Sequence, residues 1–253
     1  MPWGQRRLRF LITSALGTAA VALAACTSDS PDGDRGAPPP LVASGGTSAA
    51  APLTASAPRD GRDAASFAVL GGATSVTVRS ADIDDDLFRV SVPDGAPIRP
   101  AAVVTGNDVQ LQVVATAGGG ASALDIQLSD DVVWDVRLSG GASDTVVDLA
   151  GGRLSGLAFT AGSSRIEATL PAPSGEVVVR MSGGASEFIV HRPAGVAALA
   201  RLAGGAGSVS IDGVASSGIA GGEQQSTPDY GAAPDRYLVD CTAGLSALII
   251  DTY

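Results

Sequence analysis

The chain has 253 residues, a formal net charge of −10, 33 Gly, 15 Pro and only 4% aromatic residues. A surface this acidic repels phosphates and anionic headgroups, which excludes nucleic acid as a partner. The 45% of hydrophobic residues, largely Ala and Val, exclude wholesale disorder. Short Val/Ile/Leu runs punctuated by Gly indicate an all-β protein.

Residues 1–26 read MPWGQRRLRFLITSALGTAAVALAAC. A basic n-region precedes an apolar stretch from Leu8 to Ala25 that contains Thr13, Ser14 and Gly17. A membrane-spanning helix needs about 20 apolar residues, and this stretch fits a signal-peptide h-region better. Its ending, Leu23-Ala24-Ala25-Cys26, resembles the lipobox of bacterial lipoproteins. That resemblance implies a lipoprotein signal peptide over 1–25, cleavage before Cys26, and diacylglyceryl transfer to the Cys26 thiol. The mature chain, without Arg6, Arg7 and Arg9, carries a charge of about −13 instead of −10. It is then held on the extracytoplasmic face of the cell membrane, where two or three acyl chains anchor stably.

Residues 26–65 carry scattered charges among Pro, Ala, Ser and Gly, with almost no periodic apolar positions. Such a segment cannot bury enough surface to offset ordering, so a disordered tether is expected.

From 66 onward a repeat emerges. Gly120, Gly141, Gly162, Gly184 and Gly205 stand 21, 21, 22 and 21 residues apart. Four residues after each come Leu124, Thr145, Ile166, Phe188 and Val209; six after come Ile126, Val147, Ala168, Val190 and Ile211. Three before come Ala117, Leu138, Phe159, Met181 and Leu202, and five before come Val136, Leu157 and Val179. Gly72 and Gly244 open further copies, while residues 81–116 keep the frame only loosely. Apolar alternation with period two on both sides of a glycine corner describes strand, corner, strand, turn. The twice-written Ser-Gly-Gly-Ala-Ser, at 139–143 and 182–186, is then a corner, with Gly supplying positive φ. A fixed period near 21 residues predicts a single-domain right-handed parallel β-helix (β-solenoid) over 66–253, its equivalent positions stacked as ladders about 4.8 Å apart. The competing arrangement is an antiparallel sandwich of hairpins, which would place turn signals at each two-residue connection instead of once per coil.

Few residues offer chemistry. Asp82, Asp84, Asp85 and Asp86 lack EF-hand spacing, since Leu87 and Pro93 stand where Gly and Glu are required; they read as a solvated turn. His191 is the single histidine and follows a strand in VHRPAG, without metal-ligand partners or a G-x-S-x-G elbow. Residues 213–236, rich in Gly, Gln, Ser and Pro, read as a protruding loop insertion. Cys241 falls in the apolar row with Met181 and Leu202, and with Cys26 lipidated it has no disulfide partner. No catalytic, cofactor-binding or metal residue is assigned.

The Gly-Gly-Ala-Ser coils, the Leu170-Pro171 turn and the closing RYLVDCTAGLSALIID (236–251) resemble the bacterial toast-rack, or "putative adhesin", domains, which include C-terminal domains of cell-wall stress regulators. The resemblance implies a right-handed β-helix, an envelope location and no catalytic residues. The expected function is a lipid-anchored, non-enzymatic envelope protein whose solenoid binds an envelope protein or the cell wall, in stress sensing or scaffolding. The alternative is a surface adhesin for glycans or external surfaces. A polysaccharide-active enzyme is the third reading, and the acidic residues do not recur along one face as it would require.

Overall fold

The structure, a computed structural model, describes residues 53–117, 119 and 122–253. Cys26, the signal peptide and the tether up to residue 52 lie outside the described residues. Among the described residues there is no helix, and nineteen strands follow one another. The first seven are β1 (Thr54–Pro58), β2 (Ala64–Leu70), β3 (Ser75–Ala81), β4 (Asp86–Ser91), β5 (Ile98–Thr105), β6 (Asp108–Ala115) and β7 (Ala123–Ser129). The next six are β8 (Val133–Leu138), β9 (Ala142–Asp148), β10 (Arg153–Phe159), β11 (Ser163–Thr169), β12 (Glu176–Met181) and β13 (Ala185–Arg192). The last six are β14 (Ala197–Leu202), β15 (Ala206–Ile211), β16 (Val214–Ile219), β17 (Glu223–Ser226), β18 (Arg236–Cys241) and β19 (Leu245–Thr252).

They form two mixed sheets, ordered β1-β4-β7-β3-β9-β11-β13-β19-β15-β16 and β17-β14-β18-β12-β10-β8-β2-β6-β5, and neither closes into a barrel. From β8 to β13 the chain alternates between the sheets, and each strand pairs in parallel with the one two places on. The repeat sets this register: Leu138 lies beside Phe159 and Phe159 beside Met181 on one sheet, and Thr145, Ile166 and Phe188 are neighbours on the other. The inward-facing rows are buried, with Val136, Val179, Phe188 and Val239 fully so. Each such side chain contributes about 1.5–3 kcal/mol of transfer free energy. Edge-to-face contact between Phe159 and Phe188, with ring centroids 5.6 Å apart, ties the two inner faces together.

The corner motif has a second cause beside the expected one. Gly184 and Gly205 do adopt positive φ, but Gly140 and Gly183 do not. There the constraint is close stacking: a Cβ on Gly140 would lie 1.8 Å from the Gly71 carbonyl oxygen, and one on Gly183 2.0 Å from the Ala161 carbonyl carbon. Backbone lies against backbone where successive corners meet, and only glycine leaves room.

All-β structure is as expected, but the sheets are not purely parallel and the stack does not keep chain order at its ends. The closing pair β18 and β19 lies between β12/β13 and β14/β15, so Phe188 is flanked by Ile166 and Leu248, not by Val209. Likewise β2 and β3 lie between β6/β7 and β8/β9. Residues 213–236 are not a protruding loop. β16 pairs antiparallel with β15, and β17 with β14, so the insertion lays a polar strand along the edge of each sheet. At the far end β4 pairs antiparallel with β1 and β7, and β5 and β6 form a hairpin. Residues expected in the tether up to 65 therefore include β1 and the start of β2. Antiparallel strands thus cap the parallel ladders at both ends of each sheet. EQQS carries no apolar alternation, and in TASAP only the small Ala55 and Ala57 alternate against the core, too weak a signal to announce a strand.

Candidate functional site

Alternation that turns Ile166 and Ala168 inward turns Arg165 and Glu167 outward. The parallel register then sets Asp144, Arg165 and Glu187 side by side. Arg165 Nε donates to Glu187 Oε2 at 3.0 Å, and its Nη2 lies 2.8 Å from Glu167 Oε2. Glu167 Oε1 is 3.3 Å from His191 Nε2, and His191 Nδ1 meets Asp251 Oδ1. A continuous charged row thus crosses the outer face of the first sheet. On the second sheet, Asp240 sits between Arg180 and Arg201, with Nε···O distances of 3.2 and 2.9 Å. Asp240 is only 4% exposed. Burial alone would raise its carboxyl, but the hydrogen bond and charge of Arg201, then of Arg180, hold it below the ordinary range.

The residues singled out for chemistry are otherwise engaged. Cys241 is fully buried between Met181 and Leu202, and desolvation pushes its thiol up to about 12. His191 meets carboxylates through both ring nitrogens, not a hydroxyl or thiol it could activate. The Asp82–Asp86 run is a turn: the Asp84 N–H donates to Asp82 Oδ1 at 3.2 Å, and Arg89 binds Asp86 at 2.6 Å and Asp84 at 3.3 Å. Among the described residues, no group of three or more His, Cys, Asp and Glu has the arrangement to hold a metal ion.

Sequence reasoning missed a cleft of about 700 Å³ whose wall includes Arg192, Asp212, Asp229 and Asp251. Four segments meet there: the end of β13 with its turn, the β15–β16 turn, residues 227–229, and the C-terminal end of β19. The repeat did carry a signal for it. Eight residues past their glycines stand Leu128, Leu149 and Leu170, and then Arg192.

No protein-family model matches the chain, and no curated protein matches it in sequence. The structure is similar to a crystal structure from Clostridium sporogenes described as a "putative cell adhesion protein", with TM-score 0.57 and 15% identity over 79% of this chain and 98% of that one. A Bacteroides fragilis structure described as a "putative adhesin" matches at TM-score 0.31 and 11% identity, over 79% of this chain and 97% of that one. At 15% identity the first likeness is one of fold.

Proposed function

We propose that this chain is a non-catalytic, adhesin-like binding protein held on the extracytoplasmic face of the membrane by lipid on Cys26, its strands wound as a right-handed β-solenoid of the toast-rack kind. The observation that carries the reading is the contrast between surface and interior. Both outer faces present charged rows locked by neighbouring strands, through Arg165 on one and Asp240 on the other. The side chains with reactive chemistry are buried or paired. Charged faces held by ion pairs between neighbouring strands suit recognition of an extended surface more than turnover of a substrate, and the fold likeness to a protein described as a "putative cell adhesion protein" supports the same reading.

The test uses the full chain carrying Cys26→Ser, purified and coated on beads. Such beads should adhere to glycan-bearing surfaces more strongly than albumin-coated ones and should release no product. Adhesion equal to albumin overturns the binding role, and product release overturns the non-catalytic one. Selective capture of a single envelope protein, without adhesion, would move the role to envelope-stress sensing or scaffolding.

A further inference from the structure

Arg192 occupies a place in the coil where Leu128, Leu149 and Leu170 form a buried apolar row, and at 2% exposure it is as enclosed as they are. A guanidinium in such a position is strongly disfavoured unless its charge is paired and its donors are satisfied. The satisfaction here is partial. Nη2 donates to Asp212 Oδ2 at 2.6 Å, but Nε is buried and has no acceptor among the described residues. Buried donors without partners are rare in folded proteins, and each one asks for an explanation. A leucine would have continued the row without this cost, so packing alone does not account for Arg192.

Arg192 lines the cleft. Asp229 is exposed on the wall, and its carboxylate makes no hydrogen bond among the described residues. Asp251 offers its remaining oxygen beside His191, and Asp212 is already bound to Arg192. The turns at Gly195 and Gly213 leave the approach open, since a Cβ on either would meet nothing within 4 Å. One arginine against three aspartates leaves the wall net negative, which disfavours an anion. Asp212 is paired with Arg192 and Asp251 is joined to His191, which leaves Asp229 as the one wall carboxylate without a side-chain partner among the described residues, and no group there has the arrangement to hold a metal ion. The wall therefore suits an uncharged ligand with several hydroxyl donors for the carboxylates and oxygen acceptors for the guanidinium. The cleft volume, about 700 Å³, lies in the range of small-molecule sites.

We propose that this cleft is a subsite for an uncharged sugar, with hydroxyls on Asp229 and Asp251 and a sugar oxygen on Arg192. The proposal rests on the adhesin-like reading and names its ligand class.

The test titrates the full chain carrying Cys26→Ser with maltose, lactose and N,N′-diacetylchitobiose, with glucuronate as the charged control, following the Gly195 and Gly213 amides by NMR. At least one neutral disaccharide should shift both amides and bind more tightly than glucuronate. Asp229→Ala should weaken that binding about tenfold, as expected for loss of a hydrogen bond to a charged group, without lowering the melting temperature. Arg192→Leu should fold at least as stably as the parent and lose the binding. If Arg192→Leu does not fold, Asp229→Ala carries the test alone. No shift with any of the three disaccharides, or binding indifferent to Asp229→Ala, overturns the proposal. In that case, persistent bead adhesion would leave the adhesin-like reading standing, and loss of adhesion as well would remove both.

Discussion

Truncating Phe188 to alanine probes the stack at its centre. The ring is fully buried, lies in register between Ile166 on β11 and Leu248 on β19, and meets Phe159 edge to face across the core at 5.6 Å. Removing it loses transfer free energy and leaves a cavity between two sheets whose backbones are pinned by ladder hydrogen bonds, so collapse is limited. The cost should be about 3–5 kcal/mol, with the lost aromatic pair contributing to the upper end. For a unit of this size each kcal/mol shifts the melting point by about 2–4 °C, so a fall of about 6–20 °C is expected. Hydrogen exchange on the variant should show earlier opening at Ile166 and Leu248, the nearest neighbours, than at Val209, which is one strand further along the sheet. Glu187, adjacent in the chain but outward-facing, should tolerate alanine far better, since exposed ion pairs contribute little. A Glu187→Ala cost above that of Phe188→Ala would refute the strand phase. Opening at Val209 ahead of Leu248 would refute the insertion of β18 and β19.

Four further outcomes follow from the same geometry and from the leader. Cys26→Ser should abolish incorporation of a fatty-acid analogue in metabolic labelling, and full labelling of the variant would exclude lipidation at that thiol. Cys241 should resist maleimide in the native chain and react on unfolding, because burial holds its thiol at about 12. Gly140→Ala should destabilise by about 1–3 kcal/mol or more, because its Cβ meets the Gly71 carbonyl oxygen at 1.8 Å; Gly141→Ala, 3.4 Å from the Gly162 oxygen, should cost less in the same urea titration. The Asp240 carboxyl lies below its ordinary 3.8 when folded, so its stabilisation is complete above that value and is lost as pH falls through the folded one. The stability gap between the parent and Asp240→Asn should therefore narrow on acidification toward pH ~2, and a gap constant from pH 7 to 2 would contradict the assignment.

Much of the central stack was legible in the sequence. Inward rows such as Val136, Leu157 and Val179 repeat at the period of the glycines because equivalent positions on neighbouring parallel strands bury against each other, and burial leaves a periodic mark on composition. The edge strands left no such mark. β1, β16 and β17 pair through backbone groups that every residue carries, and small or polar side chains suffice there. Arg192 was legible only as an exception, visible once the leucine row is extended eight residues past each glycine. The charged rows lay in plain view as residues, but which carboxylate meets which arginine depends on which strands are neighbours.

Apolar periodicity cannot encode that order, because Met181, Leu202 and Cys241 are interchangeable members of one row. Charge can. Four residues before their glycines stand Arg180, Arg201 and Asp240, on β12, β14 and β18. Stacked in chain order, β12 and β14 would be adjacent, and Arg180 would face Arg201 across a ladder where like charges repel. Inserting β18 between them replaces that repulsion with a carboxylate bound on both sides. Asp240 is only 4% exposed, so the alternative order would also strand it without one of its two partners. The insertion strand β17 closes the same edge behind β14, leaving no open ladder for β18 except the one between β12 and β14. Charge and capping together thus select one order from several that the apolar rows would accept.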